Sequence, residues 1–314
     1  MRDPAVIRLL PDGRRLHLND GPIDLIIGAD GSPDAIRAAY EAAARRFVTI
    51  LDELCAELPQ LRTRSTVRSP EPCGDIARAM ALAVTPYCVE HFITPMAAVA
   101  GAAADAVLAA MTRAADLNRA YVNNGGDIAL HLLPGHSYTL GMMERPDRPS
   151  LFGSVEIDAS SAVRGVATSG WRGRSFSLGI ADAVTVLAVN GAQADAAATI
   201  IANAVELPGH PAIVRIPANE IAPDSDLGVI PVTRSVGALS CDEIECALER
   251  GERVAEQLRA RNLIHSAALC LQSSVHLVAE RSEDARFCKH GPPSALRDER
   301  RPPAHNSRRS LQHA

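Results

Sequence analysis

The sequence predicts an α+β fold, a mixed or antiparallel sheet packed with long helices. Two observations carry this. Short apolar runs bounded by Gly, Pro, Asn and Asp gather at the N-terminus and again between residues 120 and 188, which is strand texture. Between and after them stand segments with apolar residues at three- and four-residue spacing, which is helix texture. The alternation of the two leaves α/β open beside α+β.

Taken in order, Val6–Leu10, Leu16–Leu18 and Ile23–Gly28 read as short strands separated by Pro-Asp-Gly and Asn-Asp-Gly turns. Ser32 followed by Pro33 is a cap hydroxyl with a first-turn proline, so a helix starts there. Ile36, Tyr40, Ala43, Phe47, Ile50 and Leu54 then recur at helical spacing until Pro59, a stripe expected to pack in the core. A shorter helix is expected from Asp75 to Val84, before Pro86. Thr94-Pro95 opens an alanine-rich helix, Met96 to Ala115, thin enough to let another backbone, a flat ligand or a second subunit come close. Strand texture follows at Ala120–Asn123, Ile128–Leu133, Gly153–Ile157, Val163–Ala167 and Ala183–Ala188. Helices are expected from Asp195 to Val205 and from Cys241 to Ala260. Residues 1–279 read as one folded domain and 280–314, rich in Arg and Pro, as a disordered tail.

Composition narrows the chemistry. The 314 residues are 47% apolar and 22% charged, which is globular rather than disordered. The only lysine is Lys289. A phosphate loop of the Walker type, a lysine Schiff base and a Ser-x-x-Lys hydrolase all need a lysine in the body of the chain, so all three are excluded. A net charge of −5 with one Trp, four Tyr and five Phe offers neither the basic stripe nor the stacking platform of a nucleic-acid binder. The seven cysteines are odd in number and lack Cys-x-x-Cys spacing, as expected of reduced thiols. Charges interrupt the N-terminal segment and break the apolar runs before about 18 residues, so no leader and no membrane span are expected, and the expected compartment is cytoplasmic. Neither Gly-x-Gly-x-x-Gly after a strand nor a Gly-x-Ser-x-Gly elbow occurs.

Three segments combine residues suited to binding. Asn123-Asn124-Gly125-Gly126-Asp127 joins two apolar strands; paired glycines permit positive φ and close backbone approach, and the flanking side chains offer amide and carboxylate groups. A plain hairpin turn explains the same residues. Ala167-Thr168-Ser169-Gly170 runs into Trp171-Arg172-Gly173-Arg174, whose hydroxyls and guanidiniums suit an anionic group such as a diphosphate, with a plain loop as the alternative. In Ala194-Asp195-Ala196-Ala197-Ala198-Thr199, Asp195 and Thr199 stand one helical turn apart on one face. Carboxylate, hydroxyl and water are ligands for a hard cation such as Mg²⁺; a capping Asp and a Thr bonded within its own helix would look the same.

These segments, in this order, resemble the ApbE superfamily, the FAD:protein FMN transferases, and most closely a short bacterial and archaeal branch of it. The likeness spans about Ser32 to Leu271. Ala98-Val99-Ala100-Gly101-Ala102-Ala103-Ala104-Asp105 is similar to the family's Ile-Ala-Lys-Gly-Tyr-Ala-Val-Asp helix, with Gly101 and Asp105 matching. Asn123–Asp127 resembles its Asn-x-Gly-Gly-Asp/Glu turn, Ala167–Gly170 its Ala-Thr-Ser-Gly, and Ala194–Thr199 its Ala-Asp-Ala-x-x-Thr.

The resemblance implies an ApbE-like fold with a flavin nucleotide, FAD or FMN, in a cleft between sheet and helices and Mg²⁺ at the diphosphate. Asp195 and Thr199 would be metal ligands, with a backbone carbonyl near Ala97–Ala98 completing the set. Asn124, Gly125, Gly126, Asp127, Thr168, Ser169 and Gly170 would line the flavin site, and Arg172 or Arg174 would supply positive charge. The implied partners are the flavin nucleotide and an acceptor protein for a transferase; a second copy of the chain is expected only from the small residues of the alanine-rich helix. Departures also show. The family lysine falls at Ala100, Leu178 stands where a His-x-x-Asp-Pro histidine is expected, and the Asp-Pro-x-Thr-Gly run is missing. Flavin binding is therefore expected ahead of FMN transfer, with a non-catalytic binding or redox protein as the alternative.

Overall fold

Leu16, Leu18, Ile23, Leu25 and Ile27 are buried on a ribbon whose intervening residues are only partly covered, the period-two pattern of strands with one face in a core. In the computed structural model, which describes residues 4–143, 151–279 and 286–289, the ribbon comprises β1 (Val6–Leu9), β2 (Leu16–Asp20) and β3 (Ile23–Asp30). The chain then runs through α1 (Pro33–Ala56), the single turn α2 (Leu58–Leu61), α3 (Asp75–Val84) and α4 (Val99–Ala114). It returns as β4 (Arg119–Asn124) and β5 (Asp127–Leu132), and continues as β6 (Ser137–Met143), β7 (Leu151–Asp158), β8 (Gly165–Ser169) and β9 (Ala183–Ala188). Next come α5 (Gly191–Ala204), β10 (Ile213–Pro217), the short α6 (Ala218–Ile221), β11 (Pro231–Val236) and α7 (Cys241–Ala260). The hairpin β12 (Ser266–Leu271) and β13 (Ser274–Val278) and the strand β14 (Arg286–Lys289) complete the described chain.

Nine strands form one sheet in the order β1-β2-β3-β4-β5-β8-β9-β12-β13. Every neighbouring pair in it is antiparallel, so the architecture is α+β and neither mixed nor α/β. Residues of α1, α3, α4, α5 and α7 pack on one face with Leu25, Ile27, Val122, Val184, Val186 and Leu269. The other face is covered in the middle by a second sheet, β14-β7-β6, through Leu130, Leu132, Val155, Ile157 and Leu187. That double cover explains why β9 and β12 are buried at every position: a strand between two layers needs no polar face.

The helix starts follow their caps. Ser32 Oγ accepts from the Ala35 N–H at 3.2 Å with Pro33 in the first turn, as the sequence predicts. In α7 the Ser240 hydroxyl accepts from Glu243 N–H while the Glu243 carboxylate accepts from Ser240 N–H at 2.7 Å, a capping box. The stripe of α1 divides: Ala43, Phe47, Ile50 and Leu54 are core, each large one contributing about 2 kcal/mol by burial, whereas Ile36 lines a cavity and Tyr40 both lines it and packs against the core.

Three sequence expectations need correction. First, α5 begins at Gly191, four residues before Asp195, because Asn190 caps it by accepting from Gln193 N–H at 2.8 Å; Asp195 is thereby freed for another task. Second, the tail does not lack structure throughout. Arg286–Lys289 pairs antiparallel with β7 at Glu156–Gly153, since an open strand edge offers main-chain groups that a polar segment can satisfy as well as an apolar one. The rest of 280–314 lies outside the described residues. Third, Pro95–Ala114 is long and apolar enough to meet a spanning criterion by length and composition. Its apolar faces pack on α1, α5, β4 and β5, which accounts for the composition without a bilayer.

His276 on β13 bonds Glu252 at 2.7 Å and Glu245 at 3.1 Å, both on α7. Burial disfavours the charged ring, but the hydrogen bonds to the two carboxylates outweigh it and raise its pKa above 6.5. The contribution is therefore complete below that pH and fades as pH rises through the raised value. We expect His276→Gln to cost up to about 1 kcal/mol at pH 5.5 and little at pH 9, read from urea melts at the two pH values.

Candidate functional site

Two helices that begin without enough donors of their own bonded come together at their first turns. The sequence repeats there: Gly101-Ala102-Ala103-Ala104-Asp105 opens α4 and Gly191-Ala192-Gln193-Ala194-Asp195 opens α5. The glycines let the backbones touch. A Cβ on Gly101 would lie 2.2 Å from the Gly191 carbonyl oxygen. At that distance each Asp reaches the start of the other helix. Asp195 Oδ2 accepts from Ala100 N–H at 3.1 Å and Gly101 N–H at 3.0 Å, replacing the side-chain cap that Ala98 cannot give α4. Asp105 accepts from Gly191 N–H and Ala192 N–H, both at 2.9 Å. Each carboxylate faces the positive end of a helix macrodipole.

The two sequence bends meet at the same place. Gly125 and Gly126, with φ of 67° and 119°, close the β4–β5 hairpin, so the turn reading of this segment holds. Asn123 Oδ1 accepts from Gly126 N–H at 2.8 Å. Asn124 is buried, and its Nδ2 donates to the Ala100 carbonyl at 3.2 Å, tying the hairpin to the start of α4. Asp127 Oδ1 accepts from the Thr168 N–H at 3.2 Å, tying it to the second bend. The Thr168 and Thr185 hydroxyls share a hydrogen bond at 3.0 Å. Gly170 is required by close approach, since a Cβ there would lie 2.4 Å from the Asp182 carbonyl oxygen. Ser169 is partly covered.

Electrostatics single out the carboxylates. Asp105, Asp127 and Asp195 keep only part of their surface in solvent. Burial pushes Asp105 up to about 6 in spite of its two N–H donors. Burial also raises Asp127 and Asp195, and in Asp195 the negative charges of Asp127 and, to a smaller extent, Asp105 add to the rise. Among the described residues no arginine or histidine pairs with either. Arg172, expected as a source of charge, is committed elsewhere: its Nε donates to Asp182 Oδ1 at 2.5 Å and its guanidinium lies 4.2 Å over the Trp171 ring. Arg174 donates to the Pro22 carbonyl at 3.2 Å and lies against Gly125. Asp195 Oδ1 and the Thr199 hydroxyl have no hydrogen-bond partner among the described residues. No three His, Cys, Asp or Glu side chains converge as a metal cluster among those residues, so a cation here would rest on a mixed oxygen set. A cavity of 290 Å³ walled by Asp105, Thr112, His131 and Arg164 adjoins the clamp.

Sequence reading missed the reciprocal capping of α4 and α5, though the repeated Gly-Ala-x-Ala-Asp was visible. It also missed Asp182, which takes Arg172, Trp171 Nε1–H and Gln272 N–H. The signal there was a lone acid leading into a largely apolar strand. Leu178, at the place of the expected histidine, is held through its N–H by Asn203 Oδ1 at 2.8 Å.

A family model described as AbpE bacteria matches residues 7–280. The chain belongs to the AbpE bacteria family. Its relatives include a UPF0280 protein of Methanopyrus kandleri, 36% identical over 181 residues, covering 57% of this chain and 69% of the relative. A UPF0280 protein of Methanosarcina acetivorans is 33% identical over 180 residues, covering 57% and 68%. One of Methanothrix thermoacetophila is 38% identical over 125 residues, covering 36% and 46%. The family match takes in the α4–α5 clamp, both bends and Asp182.

Proposed function

We propose that this member of the AbpE bacteria family binds a flavin nucleotide, FAD or FMN, together with Mg²⁺ at the junction of α4, α5 and the two bends, in the manner of the ApbE superfamily it resembles. The observation that carries the reading is a pair of carboxylates, Asp127 and Asp195, both raised by burial and Asp195 further by the Asp127 charge, with no arginine or histidine paired to either among the described residues. Such a pair suits a divalent cation.

Asp195 Oδ1, the Thr199 hydroxyl and a carbonyl near Ala97–Ala98 would hold the metal, and the helix start that Asp195 caps would keep its carboxylate oriented. When bound, Mg²⁺ supplies charge neutralisation at the diphosphate oxygens. Asn124, Gly125, Gly126 and Asp127 would line one side of the nucleotide and Thr168, Ser169 and Gly170 the other. Arg174 would place a positive charge beside the glycine turn, where Arg172 cannot, being neutralised by Asp182. Mg²⁺-dependent transfer of FMN to an acceptor protein is the activity that this site resembles. A second reading, flavin binding without transfer, is favoured by Leu178 and Ala100, which offer neither the proton-transfer group nor the ammonium such chemistry uses.

The test is titration of the metal-stripped full chain with FAD, followed by flavin fluorescence, with and without Mg²⁺. Mg²⁺ should tighten binding by roughly tenfold or more. Incubation with an acceptor protein and mass spectrometry then separates the two readings: covalent flavin on the acceptor means transfer, and tight FAD binding without it means a carrier or redox role. Failure of both FAD and FMN to bind sinks the proposal.

A further inference from the structure

A cavity of 810 Å³ is lined by none of these carboxylates, and nothing in the proposed function uses it. It is built where β3 ends and β4 begins, its β4 wall residues Arg119 and Tyr121 lying three residues or more before Asn124, about 10 Å or more along the strand from the glycine turn. The β1–β2 hairpin, the first turns of α1 and the start of β6 enclose it.

Its walls are aromatic and basic. Tyr121 and Tyr138 meet edge to face with ring centroids 5.7 Å apart, and the Arg119 guanidinium lies 5.1 Å over the Tyr138 ring. Gly28 makes room for this: a Cβ there would stand 2.4 Å from Tyr121 Cε1. On the opposite wall the Tyr40 hydroxyl donates to the Arg14 carbonyl at 2.5 Å, fastening the hairpin turn to α1.

The charges in the wall do not cancel. Asp30 pairs with Arg119 at 3.4 Å and Glu41 with Arg45 at 3.9 Å. Arg15 and Arg37 pair with Asp12 at 2.5 Å and Asp34 at 2.8 Å. Among the described residues the Arg14 guanidinium alone in this wall has neither ion pair nor hydrogen bond. A volume within the usual range of ligand pockets, flat rings on two sides and one unpaired cation define a complementary shape and charge. We infer that this cavity binds a small planar aromatic ligand carrying a single negative charge, its ring against Tyr121 and Tyr138 and its anionic group on Arg14.

The probe is 1-naphthoate, titrated calorimetrically into the full chain in EDTA, with neutral 1-naphthamide as comparator. EDTA removes divalent cations, so the outcome is independent of the flavin proposal. We expect saturable binding of one naphthoate per chain and at least roughly tenfold weaker binding of the amide, the worth of one charge-assisted hydrogen bond. Arg14→Met, at an exposed position, should weaken naphthoate by a similar factor with an unchanged thermal melt. Ala44→Trp, which fills the cavity from a partly covered position of α1, should abolish binding. Asp195→Asn should leave it unaltered. Absence of saturable binding, equal affinity for the amide, indifference to both cavity variants, or loss on Asp195→Asn would each overturn the inference.

Discussion

Gly101→Ala should destabilise the protein by at least about 3 kcal/mol, lowering Tm by roughly 10 °C. The usual sign of this change is the reverse, because alanine in a helix is favoured over glycine by about 1 kcal/mol. The inversion follows from the contact: a Cβ at 2.2 Å from the Gly191 carbonyl oxygen meets backbone, not a side chain that can swing away. Separating the helices also stretches the four charge-assisted hydrogen bonds that Asp105 and Asp195 make across the junction. Gly209→Asn is the control. Gly209 has a φ of 74° with open space at its Cβ position, and asparagine tolerates that conformation, so a change within about 1 kcal/mol is expected. Thermal melts of the two variants test the junction as a rigid backbone contact.

Asp195→Asn should move stability and binding in opposite directions. The asparagine oxygen can still accept from Ala100 and Gly101, so α4 stays capped, while the charge facing Asp127 disappears. Because the folded carboxyl holds its proton more tightly than an unfolded one, the penalty for its charge is absent near pH 4 and grows as pH rises. The variant should therefore gain on the order of 1 kcal/mol in metal-free buffer at pH 8 and nothing near pH 4. Asp195→Ala should lose about 1–3 kcal/mol at any pH, since two helix-start N–H groups are left without an acceptor. In both variants the tightening of FAD by Mg²⁺ should vanish. Urea melts at pH 4 and 8, paired with FAD titrations, decide the matter. A destabilised asparagine variant at pH 8 would mean that Asp195 serves the fold alone.

How far the sequence carries depends on the kind of signal. Asp75–Val84 and Cys241–Ala260 are legible to the residue at both ends, because helical spacing and Pro86 mark one and local periodicity the other. The strands β6, β10, β11, β12 and β13 are not read as such. After Ser266, β12 is apolar to Leu271, since both faces of the strand are covered, and a strand with no polar side has no alternation to read. At the candidate site the separate segments were legible, Asn123–Asp127, Thr168–Gly170 and Asp195 with Thr199, because glycines, hydroxyls and acids stand out in apolar surroundings. Their relation was not. The capping of α4 from α5 joins residues more than ninety positions apart, and the loss of Arg172 to Asp182 depends on where the strand β9 begins.

Local chemistry, then, is written in the chain itself: where backbone donors need a cap, where a turn needs glycine, and which stretches turn an apolar face inward. Those choices depend on neighbours within a turn or two. Antiparallel order throughout the sheet, the backbone contact of Gly101 with Gly191, the repulsion of Asp195 by the like charge of Asp127 and the unpaired Arg14 in an aromatic cavity all arise only on packing. Each depends on distance between residues remote in the chain, and burial, which sets the strength of every charge involved, exists only once the layers have closed.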